Sequence, residues 1–160
     1  MIVRIMIVRN VVLCIFVATM LGCGNSTPHG VSSGQHQVDR KTGLIKRNLD
    51  QAQIKRGESV YNANCIGCHG PNGEATPEWR KPGADGKYPP PPLDSTAHAW
   101  HHSTDVLKKT ILKGTPPEIG SMPAWEGKLT EQQVDDVIVW IKSLWSDEIY
   151  DIWFKNFEGK

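Results

Sequence analysis

The run Cys65-Ile66-Gly67-Cys68-His69 decides how this 160-residue chain is read. On a helix, positions three and four apart share a face. Two thiols at that spacing can reach the two vinyl groups along one porphyrin edge, and the imidazole at the next position falls under a central iron. C-x-x-C-H is the attachment signature of a c-type haem. A zinc site or a redox dithiol needs no histidine there.

A second ligand follows from the methionines. Met1, Met6 and Met20 lie in an N-terminal segment whose removal is expected, which leaves Met122 as the only thioether of the mature chain. It stands in Gly120-Ser121-Met122-Pro123-Ala124-Trp125, a turn-forming stretch between two helical patterns. Methionine usually serves to fill a core. A lone one on a Gly/Pro loop suits an axial iron ligand better.

Residues 1–22 read as a signal peptide. Arg4 and Arg9 make a basic start, and Val11 to Leu21 form an apolar stretch too short to span a bilayer comfortably. Met20-Leu21-Gly22-Cys23 resembles a bacterial lipoprotein cleavage site, with Cys23 as the acylated mature N-terminus; several acyl chains would give a stable anchor. Ordinary secretion with a free Cys23 and an uncleaved signal anchor are the other readings. Export is expected in each case, with the domain on the periplasmic side of the membrane.

The cysteine tally then closes: Cys14 leaves with the signal, Cys23 carries lipid, and Cys65 with Cys68 hold the porphyrin. Without Arg4 and Arg9, the 18 basic residues fall to 16 against 17 acidic ones. That balance, with no basic block, excludes nucleic acid as the expected partner.

Residues 23–49 read as a flexible tether, because Gly24 to Asn48 is rich in small and polar residues. Its r.m.s. reach would be roughly 25–30 Å. The expected domain covers 50–146. A first helix runs from Asp50, its N-cap, to Cys68, with Ile54, Gly57, Val60, Tyr61 and Cys65 at helical spacing. Gly57, one turn before Tyr61, predicts close approach of another helix.

The partner helix is announced by Thr130 and Gln133, a capping box. Its apolar stripe is Val134, Val137, Ile138, Ile141 and Leu144, with Trp140 placed to stack near Tyr61. Between the two helices, Gly70 to Leu93 is too rich in Pro and Gly for regular helix. A short helix over Thr104–Lys113 is closed by Gly114. Strand signals are nearly absent, so the fold class is all-α with long loops.

Gly57-x-x-x-Tyr61-x-x-x-Cys65-x-x-Cys68-His69-Gly70 resembles the opening helix of small class I, mono-haem cytochromes c. Ser121-Met122-Pro123-Ala124-Trp125 and the capped helix after it resemble their axial-methionine loop and closing helix. The resemblance spans about residues 50–146. It implies a small cytochrome c-like fold, with N- and C-terminal helices crossed around one covalent haem c. It also implies His69 and Met122 as axial ligands, and one-electron transfer. In that family a loop proline two residues before a leucine offers its carbonyl to the proximal histidine; Pro91 and Leu93 have that spacing, within the run Pro89 to Pro92.

The segment Thr96-Ala97-His98-Ala99-Trp100-His101-His102 departs from a plain haem pocket. Its functional readings are a second metal site, a hydrogen-bond network to the haem propionates, or an alternative haem ligand. The simpler reading is a solvated turn with Trp100 packed on the haem edge. A zinc site from Cys65, Cys68, His98 and His101 satisfies a ligand count but leaves His69 and the Met122 loop unexplained. Residues 147–160 form a terminal extension carrying Tyr150, Trp153, Phe154 and Phe157, expected to fold back on the domain, with a docking face for a partner as the alternative.

The expected function is that of an electron carrier rather than an enzyme, since one His and one Met close the iron to substrates. Its partners would be a redox donor and acceptor, met near the membrane. Two alternatives stay open: a haem-bearing subunit of a larger oxidoreductase, and a haem sensor or peroxidase-like protein with a labile sixth ligand.

Overall fold

The computed structural model describes residues 37–159. The expected signal peptide, Cys23 and the first part of the expected tether lie outside the described residues. Helix α1 (Gln51–Asn64) starts at Asp50, whose carboxylate accepts from the Gln53 amide at 2.7 Å. It breaks at Cys65, and a four-residue turn, α2 (Ile66–His69), carries the motif up to Gly70, which takes a φ of +79° that favours glycine.

Helix α3 (Thr104–Lys113) is capped by Ser103 and ends at Gly114. Helix α4 (Glu131–Ser143) opens with the full reciprocal capping box of Thr130 and Gln133. Helix α5 (Asp147–Trp153) is followed by a π-helical turn over Phe154–Glu158. Among the described residues there is no strand, only two isolated bridges, Val38 with Ile45 and Glu126 with Leu129. The chain is all-α with long loops.

The core forms where α1 packs on α4. Gly57, Val60 and Tyr61 are buried on α1, and Val134, Val137, Ile138, Trp140 and Ile141 on α4. The Tyr61 and Trp140 rings lie 4.0 Å apart. Arg56 closes the edge of this contact by a two-pronged ion pair to the buried Asp136, at 2.8 and 3.0 Å. That pairing holds the Asp136 carboxyl below its ordinary pKa.

Residues 145–158 fold back onto this core. Trp145, Tyr150 and Trp153 are all buried, with Trp145 and Trp153 edge to face at 5.5 Å. The Trp153 indole donates to the His102 carbonyl at 2.9 Å, and Glu158 accepts from the amide and hydroxyl of Thr104. The extension is thus part of the fold.

The end of the expected tether is corrected here. Residues 44–49 are not a free linker, because Ile45 is buried and its amide donates to the Asp151 carboxylate at 2.8 Å. Arg47 adds a bond to the Trp145 carbonyl at 2.6 Å and an ion pair to Asp147 at 2.6 Å. A buried amide requires a partner, and the C-terminal extension supplies it.

Candidate haem-binding site

Cys65, Cys68 and His69 share one helical turn, in which the Cys65 carbonyl accepts from the amides of Cys68 at 3.1 Å and His69 at 3.0 Å. Cys65 is half-buried and Cys68 exposed, and both are free thiols. Burial first, then the neighbouring Cys68, pushes the Cys65 thiol up to about 11. A redox-active C-x-x-C motif shows the opposite shift, since its attacking thiol must ionise.

His69 is half-buried, and burial lowers its pKa against the opposing effect of the Pro91 carbonyl. The imidazole is therefore held neutral, the form that ligates a metal. Its Nδ1 lies 3.4 Å from the Pro91 carbonyl oxygen. That is long for a formed hydrogen bond, but it aims Nδ1 at the loop and leaves Nε2 for a ligand. The loop turns back tightly behind the histidine: Ala75 donates to the His69 carbonyl at 2.8 Å, and the Tyr61 hydroxyl donates to Gly70 at 2.5 Å.

Met122 is half-buried on the loop between α3 and α4. Thr115 fixes that loop twice: its hydroxyl accepts from the Met122 amide at 3.1 Å, and its own amide donates to the Met122 carbonyl at 3.1 Å. Gly114 is required at the base of the loop, because a Cβ there would meet the Met122 carbonyl oxygen at 2.5 Å and its φ is +73°.

Trp100 lies on the short 3₁₀ turn Ala99–His101 and packs against the core. Its Nε1 is the buried side-chain nitrogen or oxygen that has no partner among the described residues. An orphaned buried donor is costly. It fits a pocket whose acceptor comes from a bound group. The donor set of two thiols, a neutral imidazole and an unpaired indole N–H suits a covalent haem with carboxylate substituents.

The histidines of the 98–102 segment do not converge. His98 faces Trp79 at 5.7 Å and His102 at 6.0 Å, while His101 turns to Trp100 at 3.9 Å and Phe157 at 5.8 Å. Among the described residues no three His, Cys, Asp or Glu side chains form a metal cluster. Neither the zinc reading nor a second metal site at the histidines gains support from this geometry. The residue that sequence reasoning missed is Trp145, whose indole donates to the Leu93 carbonyl at 2.9 Å. Its place one residue past the apolar stripe of α4 was the sole hint.

Comparison with known proteins points the same way. Residues 52–141 match the family model described as cytochrome c oxidase, cbb3-type, subunit III. The cbb3-type cytochrome c oxidase subunit CcoP of Azospirillum brasilense is 30% identical over 102 residues, covering 63% of this chain and 32% of that protein. The FixP subunit of Bradyrhizobium sp. (strain ORS 278) is 31% identical over 123 residues, covering 76% of this chain and 37% of that one. The chain thus spans about a third of the length of these curated relatives. Cytochrome cL of Methylophaga aminisulfidivorans overlaps with a TM-score of 0.47 at 24% identity, over 71% of this chain and 70% of that one, a level that by itself assigns no fold. With more than half of its residues inside the family model, the chain belongs to the cbb3-type cytochrome c oxidase subunit III family of cytochromes c.

Proposed function

We propose that this chain is a one-electron carrier holding a single covalent haem c between a donor and an acceptor at the periplasmic face of a membrane. The observation that carries this reading is the single turn presenting Cys65, Cys68 and a His69 whose Nδ1 faces a backbone carbonyl. When bound, the haem supplies a one-electron iron couple. Cys65 and Cys68 would tether it as thioethers, His69 would ligate through Nε2, and Met122 would offer its thioether from the loop that Thr115 and Gly114 hold. A His/Met pair raises the reduction potential relative to other axial sets. Trp100 would donate to a propionate.

A second reading is favoured by the relatives themselves, which are named as oxidase subunits: the domain serves as the haem-bearing part of a larger oxidoreductase. Among the described residues no helix is long and apolar enough to cross a membrane. Association with a membrane would then rest on lipid at Cys23, on an uncleaved N-terminal anchor or on a partner. Release of a Cys23→Ser variant would identify the lipid, and a variant that stays in the membrane fraction would point to the anchor or the partner.

The decisive experiment is expression in a host with a haem-attachment system. Haem that stays on the chain through a denaturing gel and acid–acetone extraction, with a low-spin spectrum, supports the proposal. A colourless or zinc-loaded product from that host would overturn it. Co-purification in fixed ratio with oxidase subunits would move the assignment from carrier to subunit.

A further inference from the structure

We propose that Trp145 is a positioning residue for the proximal imidazole: its indole N–H fixes the Leu93 carbonyl, and through it the Pro91 carbonyl that faces His69. The inference rests on the haem reading above and adds a residue that lies beyond the stretch matched by the family model, which ends at residue 141.

The geometry is a short chain of bonds. The Trp145 Nε1 donates to the Leu93 carbonyl at 2.9 Å, and the Leu93 amide donates to the Gly73 carbonyl at 2.7 Å. Leu93 is thus held on both sides of its backbone. Next to it, the Ser146 amide donates to the Ser95 hydroxyl at 2.9 Å. Gly73, with φ +73°, sits so close that a Cβ there would meet the Leu144 side chain at 3.0 Å and that of Leu93 at 3.3 Å. Residues 144–146, just past the end of α4, therefore clamp the two stretches that flank His69 in space, the turn just after it and the proline loop behind it.

The link from Leu93 to Pro91 is stiff for a covalent reason. Pro92 lies between them, buried, with its φ locked by the ring. A residue that precedes proline is itself restricted to extended backbone, so the ψ of Pro91 is restricted as well. Little slack remains between the Leu93 carbonyl that Trp145 holds and the Pro91 carbonyl that faces Nδ1. The His69–Pro91 separation of 3.4 Å is at the edge of hydrogen bonding. Small displacements there decide whether the bond exists. Trp145 is itself deeply packed, 1% exposed and edge to face with Trp153.

A hydrogen bond from Nδ1–H to a carbonyl makes the imidazole a stronger donor to iron, which stabilises the ferric state. Releasing the clamp should therefore raise the reduction potential. The test replaces Trp145 by its benzothiophene analogue through amber suppression, which keeps the bicyclic volume and removes the N–H; Trp145→Phe is a second variant. The expected result is covalent haem and a Met122 absorbance like those of the wild type, with the potential shifted upward. Gly57→Ala serves as a control for general loosening, since it acts on the α1–α4 contact.

An unchanged potential in a folded, haem-loaded analogue would overturn the proposal. So would an equal rise in Gly57→Ala, which would reduce the effect to lost stability, or an analogue that fails to fold, which would make Trp145 purely structural. Absence of covalent haem from the wild type is a different failure, that of the haem reading itself, and it is visible before any variant is made.

Discussion

No side chain fits between Gly57 and Asp136: a Cβ at residue 57 would lie 2.0 Å from the Asp136 carbonyl oxygen and 2.8 Å from the Cβ of Trp140. The obstacle is backbone on a packed helix, so relief requires α1 and α4 to move apart. Alanine gains roughly 1 kcal/mol over glycine in helix propensity, while overpacking of this kind costs about 1–3 kcal/mol. With backbone at 2.0 Å, packing should win. Gly57→Ala is expected to lower stability by about 1–2 kcal/mol once the propensity gain is subtracted, read as a lower urea midpoint with an unchanged slope.

Lys142 gives a prediction of opposite sign. It is 7% exposed; its ammonium donates to the Thr104 hydroxyl at 2.5 Å and lies 4.2 Å from the centre of the Trp153 ring. Burial lowers its pKa to about 8, against the smaller upward pulls of Glu158 and Asp135. Between that value and the unfolded lysine's value near 10.4, the unfolded state binds the extra proton, so stability should rise with pH across this window. Lys142→Met should remove that rise and add about 1–3 kcal/mol at neutral pH, because a buried charge is exchanged for an apolar chain of similar length. Denaturant curves at pH 7 and pH 10 check both parts.

What could be read from sequence divides by the range of the interaction. The limits of α3, the Thr130–Gln133 box and the close approach at Gly57 follow from residues a turn or less apart, and Tyr61 against Trp140 follows from two stripes facing each other. The motif Cys65-x-x-Cys68-His69 is local in the same way. Ile45 looked like part of a tether because nothing near it is apolar in pattern; its burial depends on Asp151, 106 residues later. The Trp145 bond to Leu93 is hidden for the same reason, since an indole donating to a carbonyl 52 residues away leaves no periodicity. The aromatic extension was legible as apolar, and its docking is explained by the carbonyl of His102 and the amide of Thr104 that it satisfies.

Met122→Ala tests the sixth ligand. Thr115 and Gly114 hold the loop by its backbone, so loss of the thioether should leave the fold in place. The ferric protein should lose a weak band near the red end of the spectrum, and the potential should fall, since a thioether favours ferrous iron. Survival of both would name another ligand, with His98 the first candidate.

The histidines of residues 98–102 set the last expectation. His98 has its pKa lowered by desolvation first and then by electrostatic interaction with His102, His101 and Arg80. Arg80 itself stacks on Trp79 at 4.1 Å, beside the His98 ring. The three histidines lie on the segment that carries Trp100 and its unpaired Nε1, where haem carboxylates would find donors. Protonated imidazole favours the iron state of lower charge, so the reduction potential should fall as pH rises. For His98 that fall should begin below the ordinary histidine value near 6.5. Replacing His98, His101 and His102 together with Gln should flatten the dependence and leave the visible spectrum unchanged, measured by redox titration between pH 5 and pH 8. A slope that persists in the triple variant would place the titrating group elsewhere and reduce the cluster to a solvated turn over the pocket.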